Sequence, residues 1–415
     1  MIRTIRLTPI LMLYDTSRHE PLPSVTWDEG RARGAIGHIV DDTEARFTTG
    51  TFWPIHPRDA DDGQTRPLYP LYFGACGVLW ALHYLQAIGA CELKRSYADC
   101  VDSLLPLNRE WLGSSDSTQF PSYLMGDTGI LLLSYWLKPA QRTAQRLEAL
   151  IAANLDNPTR ELMWGSPGTM LAALFLYERT GEARWADLFR MTARKLWSQL
   201  IWSDEFKCHY WTQDMYGQQS TYLDAVHGFV ATASPLIRGR HLLRDEEWAA
   251  WEACICNTIQ RTVTKEGALA NWRAWLNVAK GRSPKMLMQF CHGAPGFVVC
   301  LADMPGSALD ELLIAGGEAA WSAGPLTKGA NLCHGTAGNG YAFLKLYRRT
   351  REAKWLERAR AFAMHAIAQS ETDAAQFGRL RYSLWTGDPG LAIYLWDCIQ
   401  GTATFPSLDI FFAGD

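Results

Sequence analysis

Two cysteine–histidine pairs, each followed by glycine, are the residues of this sequence whose types and spacing best suit chemistry. The four candidate metal ligands are Cys291, His292, Cys333 and His334. Thiolate and imidazole are the side-chain ligands that Zn²⁺ prefers, at about 2.0 to 2.3 Å in a tetrahedral arrangement. A single pair of this kind more often supplies a buried thiol and a capping histidine. Two pairs at the same place in a repeated phrase favour a metal site.

The number of ligands decides which kind of site this would be. Four protein ligands close a zinc site and make it structural, whereas three leave one coordination position open for a substrate. Neighbouring residues of a helix point about 100° apart, so both members of one pair do not easily face the same ion. The residues therefore favour three ligands and do not identify the histidine that is left out.

The phrase that contains these pairs recurs along the chain as two glycines three residues apart, followed at once by an apolar run. In one degenerate copy the second glycine is replaced by Ala231. The spacing of about 40 to 65 residues between copies is long enough for two helices and their connections. The copies begin at Gly74, Gly126, Gly165, Gly228, Gly293, Gly335 and Gly387.

The segments around the glycines show two kinds of helical pattern. Runs behind the glycines, such as ILLLSYWL, are apolar nearly all round, whereas runs between them, such as EARWADLFRMTARKLWSQL, are amphipathic. Buried helices and surface helices have these respective patterns. We therefore predict an all-α fold, an α/α toroid (barrel) of seven inner and seven outer helices. Residues 71–415 would form this toroid, and the proline-rich residues 1–70 would be a lead-in that packs on it.

The glycines would stand at the start of the inner helices, where seven helix ends converge and side chains would collide. Backbone N–H groups and the positive ends of the helix dipoles would then point toward the middle of the ring. Such an arrangement favours bound anions or thiolates at the centre.

Composition excludes several classes of partner. The formal net charge is −3, so no basic surface indicates a nucleic-acid partner. No apolar run approaches the roughly 20 residues that a membrane span requires, and the start of the chain lacks a convincing secretory signal. We expect a cytoplasmic protein without a membrane partner, whose ten cysteines are reduced thiols or metal ligands.

The phrases themselves resemble the signature blocks of the lanthionine synthetase C-like family. QFCHGAPG (289–296), NLCHGTAGN (331–339) and YSLWTGDPG (382–390) carry the resemblance, which runs in order from about residue 71 to residue 399. The phrase TYLDAVHG (221–228) resembles the histidine block of the family. GDTG (126–129) resembles the second block of its eukaryotic members in particular.

This resemblance implies an α/α toroid with one Zn²⁺ per chain at its centre. It implies the ligands Cys291, Cys333 and His334, with His292 not bound. The lantibiotic cyclases of the family join a peptide cysteine to dehydroalanine or dehydrobutyrine, and the eukaryotic-type relatives add glutathione to the same electrophiles. The expected partners are therefore a small thiol and a peptide or protein that contains a dehydroamino acid.

Further residues would serve such a reaction. His227, at the head of the fourth repeat, is the candidate donor of a proton to the substrate α-carbon; its alternative role is to cap its own helix. Lys328 matches a basic position that contacts glutathione in the eukaryotic-type relatives, although a solvated loop lysine explains it equally well. A substrate-binding arginine expected before the last block would be Arg379 or Arg381.

One departure from the family separates the two activities. The cyclases carry an acidic residue just before the second glycine block, and the corresponding place near Ser122 offers no carboxylate. Asp127 lies inside the block instead, as in the eukaryotic-type relatives. We predict addition of glutathione or a similar small thiol to a dehydroamino acid. The alternatives are a peptide cyclase that works with a dehydratase, and a non-catalytic protein that binds zinc and glutathione.

Overall fold

The computed structural model describes residues 13–60, 66–113, 120–277 and 286–414. Within these ranges the chain forms fourteen α-helices that alternate between an outer and an inner ring. The outer helices are α1 (Glu29–Ala45), α3 (Leu104–Leu112), α5 (Gln141–Ala153), α7 (Ala183–Ser198), α9 (Asp245–Thr262), α11 (Asp310–Ala323) and α13 (Ala353–Phe377). The inner helices are α2 (Ala75–Ala87), α4 (Asp127–Leu137), α6 (Ser166–Thr180), α8 (Phe229–Arg238), α10 (Ala294–Leu301), α12 (Thr336–Thr350) and α14 (Asp388–Gln400).

The inner helices form a closed ring. Each one packs against the next in chain order, and the last of them, α14, packs against the first, α2. Every inner helix begins directly after the first glycine of a repeat, so that this glycine is its N-cap residue. The predicted all-α toroid of seven inner and seven outer helices is therefore confirmed.

The second glycine of the repeat is required by close packing between neighbouring repeats. A Cβ on Gly77 would lie 2.1 Å from the carbonyl oxygen of Leu71 and 2.8 Å from the Cβ of Leu384. A Cβ on Gly390 would lie 2.0 Å from the carbonyl oxygen of Leu384 in the same way. Since Leu384 belongs to the last repeat and Gly77 to the first, this contact also closes the ring.

Helix α1 lies within the segment predicted as a lead-in. It packs against α14 and α13 and so takes the outer position that closes the second ring. Its N-cap residue, Asp28, accepts a hydrogen bond from the backbone N–H of Arg31. The division of the chain at residue 70 stays a prediction about domain boundaries.

Large aromatic side chains make up much of the buried core, as the tryptophan-rich composition indicates. None of the helices in the described ranges is long and apolar enough to cross a membrane. The fully buried tryptophans are Trp80, Trp185, Trp211, Trp272, Trp355 and Trp385.

Three antiparallel hairpins interrupt the helical pattern. They pair β1 (Ile201–Ser203) with β2 (Cys208–Tyr210), β3 (Gln213–Met215) with β4 (Gln218–Ser220), and β5 (Val263–Glu266) with β6 (Leu269–Trp272). The sequence patterns did not predict these hairpins, because strands of three or four residues are too short to show an alternating period. All three lie between α7 and α10, on one side of the ring.

Candidate metal centre

Backbone hydrogen bonds join the loops that precede the inner helices. The N–H of Cys291 donates to the carbonyl of Cys333 over 3.0 Å, and the N–H of Cys333 donates to the carbonyl of Trp385 over 2.9 Å. The N–H of Trp385 donates in turn to Tyr72 over 3.1 Å, and that of Tyr72 to Leu124 over 3.0 Å. These bonds hold equivalent points of successive repeats beside one another at the rim.

The two cysteines of the Cys-His-Gly phrases meet at this rim. Both lie three residues before an inner helix, α10 for Cys291 and α12 for Cys333. Their Sγ atoms and a ring nitrogen of His334 all lie within 4.8 Å of one another. Ligand–metal bonds of about 2.0 to 2.3 Å can reach a common ion between three atoms so placed. The donor set therefore fits Zn²⁺, with two sulfurs and one imidazole.

Each sulfur also accepts a hydrogen bond from a side chain outside the cluster. The hydroxyl of Tyr72 donates to Sγ of Cys333 over 2.8 Å. The amide Nε2 of Gln289 donates to Sγ of Cys291 over 2.8 Å, and Arg18 donates to Oε1 of the same amide over 2.9 Å. Donors aimed at both sulfurs stabilise the thiolate form that a metal ligand must adopt.

Electrostatic effects differ between the two thiols. A hydrogen bond from the Cys291 thiol lowers the pKa of Cys333 well below its usual value against the opposing effect of burial, and His334 acts in the same direction. Burial instead raises the pKa of Cys291. The surroundings thus favour the thiolate form of Cys333, and metal coordination would favour that of Cys291 by displacing its proton.

His292 does not join this cluster. Its Nδ1 lies 2.7 Å from Oδ2 of Asp224, a carboxylate that is completely buried. The structure thus brings together the three residues expected as ligands and places the histidine expected to be unbound against a carboxylate.

His227 forms a second histidine–carboxylate pair. Its Nδ1 lies 2.9 Å from Oε2 of Glu161, which is also completely buried. Burial alone would lower the pKa of His227, but the hydrogen bond and the charge of Glu161 outweigh it and raise that pKa above its usual value. Helix α8, which follows His227, has Gly228 as its N-cap residue, and no side-chain hydrogen bond caps its start. The imidazole of His227 therefore contacts Glu161 and does not cap the helix.

Glu161 is the functional candidate that sequence reasoning missed. The place near Ser122, where the cyclases carry an acidic residue, offers no carboxylate. A carboxylate comes instead from the loop before α6, four residues ahead of Gly165. Asp127 has a different role, because its buried carboxylate forms an ion pair with Arg109. The signal that could have identified Glu161 is a glutamate close to the first glycine of a repeat, at a position followed by buried residues.

The basic residues singled out in the sequence line a pocket beside the cluster. Lys328, Arg379 and Arg381 all line it, together with Asn331, whose Oδ1 accepts the backbone N–H of the clustered histidine over 3.0 Å. The Nε of Arg381 donates to Asp59 over 2.7 Å. Both of the alternative arginines thus line this pocket, and Arg381 also forms an ion pair with Asp59.

Comparison with known proteins agrees with this architecture. The model of the lanthionine synthetase C-like protein family matches residues 69–410. A zebrafish (Danio rerio) protein named glutathione S-transferase LANCL1 is 34% identical over 143 residues, 31% of this chain and 33% of the relative. LanC-like protein GCL1 of Arabidopsis thaliana is 33% identical over 141 residues, or 32% of each chain. The aligned region thus spans about a third of the length of these curated relatives.

A solved structure shares the fold. Nisin cyclase superposes with a TM-score of 0.52 over 90% of this chain and 100% of the cyclase, at 15% sequence identity. The match of the family model covers most of the chain, including all seven glycine phrases and the three clustered residues. This chain belongs to the lanthionine synthetase C-like family.

Proposed function

We propose that this protein catalyses the zinc-dependent addition of a small thiol, glutathione or a similar molecule, to dehydroalanine or dehydrobutyrine. The observation that carries the proposal is the convergence of Cys291, Cys333 and His334 at the central rim. These three residues would hold one Zn²⁺ per chain. When bound, the ion would supply an open coordination position at which an incoming thiol loses its proton more readily.

His227 would supply the proton that the reaction requires. In the addition, the thiol sulfur forms a bond to the β-carbon while the double-bond electrons move to the α-carbon and its carbonyl group. A proton must then reach the α-carbon, and the proton lost by the thiol passes to solvent. Glu161 holds Nδ1 of His227 and favours the protonated ring, which leaves Nε2 as the donor.

The choice of a small thiol is supported by two features. The relative from zebrafish is named a glutathione S-transferase, and the basic side chains Lys328, Arg379 and Arg381 lie together at a small pocket that Asp373 and Asp388 also line. Guanidinium and ammonium groups are suited to carboxylates such as those of glutathione. We place the reaction in the cytoplasm, where small-molecule and protein thiols are kept reduced. The second substrate would be a peptide or protein that carries the dehydroamino acid.

Metal analysis tests the ligand assignment. Purified protein should contain one zinc per chain, and Cys333→Ala should lose it. Cys300→Ala is the matched control, because Cys300 is a buried thiol of α10 outside the cluster. Full zinc content in Cys333→Ala would refute the assignment.

Mass spectrometry tests the reaction. Incubation of the zinc-loaded protein with glutathione and a dehydrobutyrine peptide should add one glutathione per dehydroamino acid. Ring closure in a dehydrated peptide that contains cysteine, without any glutathione adduct, would replace this proposal by the peptide cyclase. Binding of both substrates without a product would replace it by a non-catalytic protein.

A further inference from the structure

Aromatic rings border the two histidine–carboxylate pairs. The ring of Tyr222 lies 5.4 Å from that of His227 and 5.4 Å from that of Trp275, between ring centres. It also stacks on His292 at 6.3 Å, as Trp275 does at 6.2 Å. All four side chains are partly exposed. A wall of accessible aromatic surface thus stands beside the proposed proton donor.

The β3–β4 hairpin adds an exposed ring to this wall. Tyr216 occupies its tip, where its φ angle is +51° and its surface is 72% exposed. A bulky residue with positive φ is unusual, because asparagine or glycine adopts this conformation with less strain. The hydroxyl of Tyr216 accepts a hydrogen bond from Nε1 of Trp164 over 3.0 Å. A strained, solvent-facing aromatic residue held by a second aromatic residue indicates a binding role.

The hairpin that carries Tyr216 is fixed at its base. The backbone N–H of Asp214 donates to Pro158 over 3.1 Å, and Nε of Arg160 donates to the carbonyl of Thr212 over 2.7 Å. These contacts tie the hairpin to the loop that precedes α6. The tip is therefore presented in a defined position.

The same hairpin is linked to the proton donor from two directions. The buried Gln213 of β3 accepts the backbone N–H of Tyr222 over 2.7 Å. On the other side, the backbone N–H of Trp164 donates to the carboxylate of Glu161 over 2.5 Å, and that carboxylate holds His227. One residue thus separates the exposed ring of Tyr216 from the histidine–carboxylate pair.

We propose that Tyr216, Trp164 and Tyr222 bind the part of a peptide substrate that flanks its dehydroamino acid, with a preference for an aromatic neighbouring side chain. This inference rests on the proposed function and names the class of its electrophilic substrate. Accessible aromatic faces attract aromatic and apolar groups through buried area and offset or edge-to-face contacts. Apolar surface exposed beside a reaction centre is typical of a ligand-binding wall.

The position of this aromatic surface assigns it to the electrophile and not to the thiol. It is built from the loops before α6, α8 and α10, whereas the basic pocket is lined by the loops before α12 and α14. The clustered cysteines precede α10 and α12, between the two. A thiol with carboxylates would therefore approach from one side and the unsaturated peptide from the other, where His227 stands.

Steady-state kinetics with zinc-loaded protein and glutathione test the inference. Three electrophiles are compared: a minimal N-acetyl dehydrobutyrine amide, a peptide with phenylalanine next to dehydrobutyrine, and the same peptide with glycine in that place. Tyr216→Ala should raise KM for the phenylalanine peptide about three- to tenfold, the loss expected for one aromatic contact. Its kcat, and its KM for the minimal substrate, should stay unchanged. Tyr216→Phe, which keeps the aromatic ring, should have the wild-type KM for the phenylalanine peptide.

A matched control and a binding measurement separate this inference from the proposed function. Tyr135→Ala removes a partly exposed ring near the C-terminal end of α4, which is not part of the proposed peptide-binding surface. This variant should change neither kcat nor KM. Calorimetry with the saturated phenylalanine peptide, which cannot react, should show weaker binding to Tyr216→Ala than to wild type. Equal binding of the phenylalanine and glycine peptides by wild type would overturn the inference even where thiol addition is observed. Absence of thiol addition to every electrophile, with the phenylalanine preference in binding intact, would refute the proposed function alone.

Discussion

Replacement of Glu161 by glutamine would test the proton-donor role of His227 with the smallest change in shape. The carboxylate of Glu161 is completely buried and accepts three hydrogen bonds, from His227 and from the backbone N–H groups of Met163 and Trp164. A carboxylate can accept all three, whereas an amide must direct its NH₂ group at one of these donors. The variant therefore loses the charge and at least one favourable contact.

The expected size of the effect follows from that charged hydrogen bond. A hydrogen bond to a charged group contributes about 1.5 to 3 kcal/mol, and about 1.4 kcal/mol corresponds to one pKa unit. Burial, which lowers the pKa of His227, stays in place when the charge is removed. Glu161→Gln should therefore lower the pKa of His227, and above that pKa the rate should fall by the fold-change to which this free energy corresponds, about tenfold to a hundredfold.

The sign of this change can be read from the rate. His227 has a raised pKa in the folded protein, so its protonated form, the proposed donor, is lost only as pH rises through that raised value. In the variant the alkaline fall in rate should therefore begin at a lower pH than in the wild-type protein. Stabilisation of the fold by this pair is likewise present below the ordinary histidine pKa and is lost as pH rises through the folded value.

The assay is the rate of glutathione addition to a dehydrobutyrine peptide from about pH 5 to pH 10, with zinc content measured for each sample. Asp224→Asn is the informative comparison. Asp224 accepts a hydrogen bond from the backbone N–H of His227 but not from its imidazole, and it raises the pKa of His227 less than Glu161 does. Its alkaline limb should move less. An alkaline limb that stays in place in Glu161→Gln would refute the role of this pair in proton transfer.

Three further predictions concern the metal centre and the ring. Gln289→Glu should weaken zinc retention about tenfold to a hundredfold in a chelator competition, since it removes the donor to Cys291 and adds a negative charge beside the sulfur. Gly390→Ala should lower the free energy of unfolding by at least about 1 to 3 kcal/mol in a denaturant titration, because its Cβ would meet the carbonyl oxygen of Leu384 at 2.0 Å. Lys345→Met should cost about 3 kcal/mol by the same measurement, because the buried Lys345 pairs with two aspartates at 2.8 and 3.2 Å.

The ring could be predicted from the sequence because its steric demand is local and repeats. Each inner helix starts at a glycine, and the next glycine meets a carbonyl oxygen six residues earlier, as Gly77 meets Leu71. A requirement of this kind leaves the same residue type at the same spacing in six of the seven repeats, with Ala231 in the remaining one. The proximity of Cys291 and Cys333 could be predicted for the same reason, since equivalent positions of adjacent repeats must be neighbours, whereas the choice of His334 was implied only by the family resemblance.

Features that depend on contacts between unlike positions could not be predicted. Glu161 reaches His227 across 66 residues of chain, and the glycine spacing aligns only like positions of the repeats. It does not show that a residue four places before one glycine meets the residue directly before the next. The hairpin that carries Tyr216 is fixed by tertiary hydrogen bonds to Pro158 and Tyr222, not by a strand pattern of its own. The place of helix α1 on α14 follows only from the closure of the ring.

The structure explains why His334 and not His292 lies with the two sulfurs, a question that the residues alone left open. Four residues before the first glycine, a carboxylate of one repeat holds the histidine that heads the next: Glu161 holds His227 and Asp224 holds His292. The corresponding residue before His334 is Gln289, a neutral amide that donates to the sulfur of Cys291 instead. The position equivalent to Glu161 and Asp224 therefore offers His334 no carboxylate, and the imidazole of His334 lies with the two sulfurs. The residue type four places before each glycine thus separates the two imidazoles that a carboxylate holds from the one that lies with the two sulfurs.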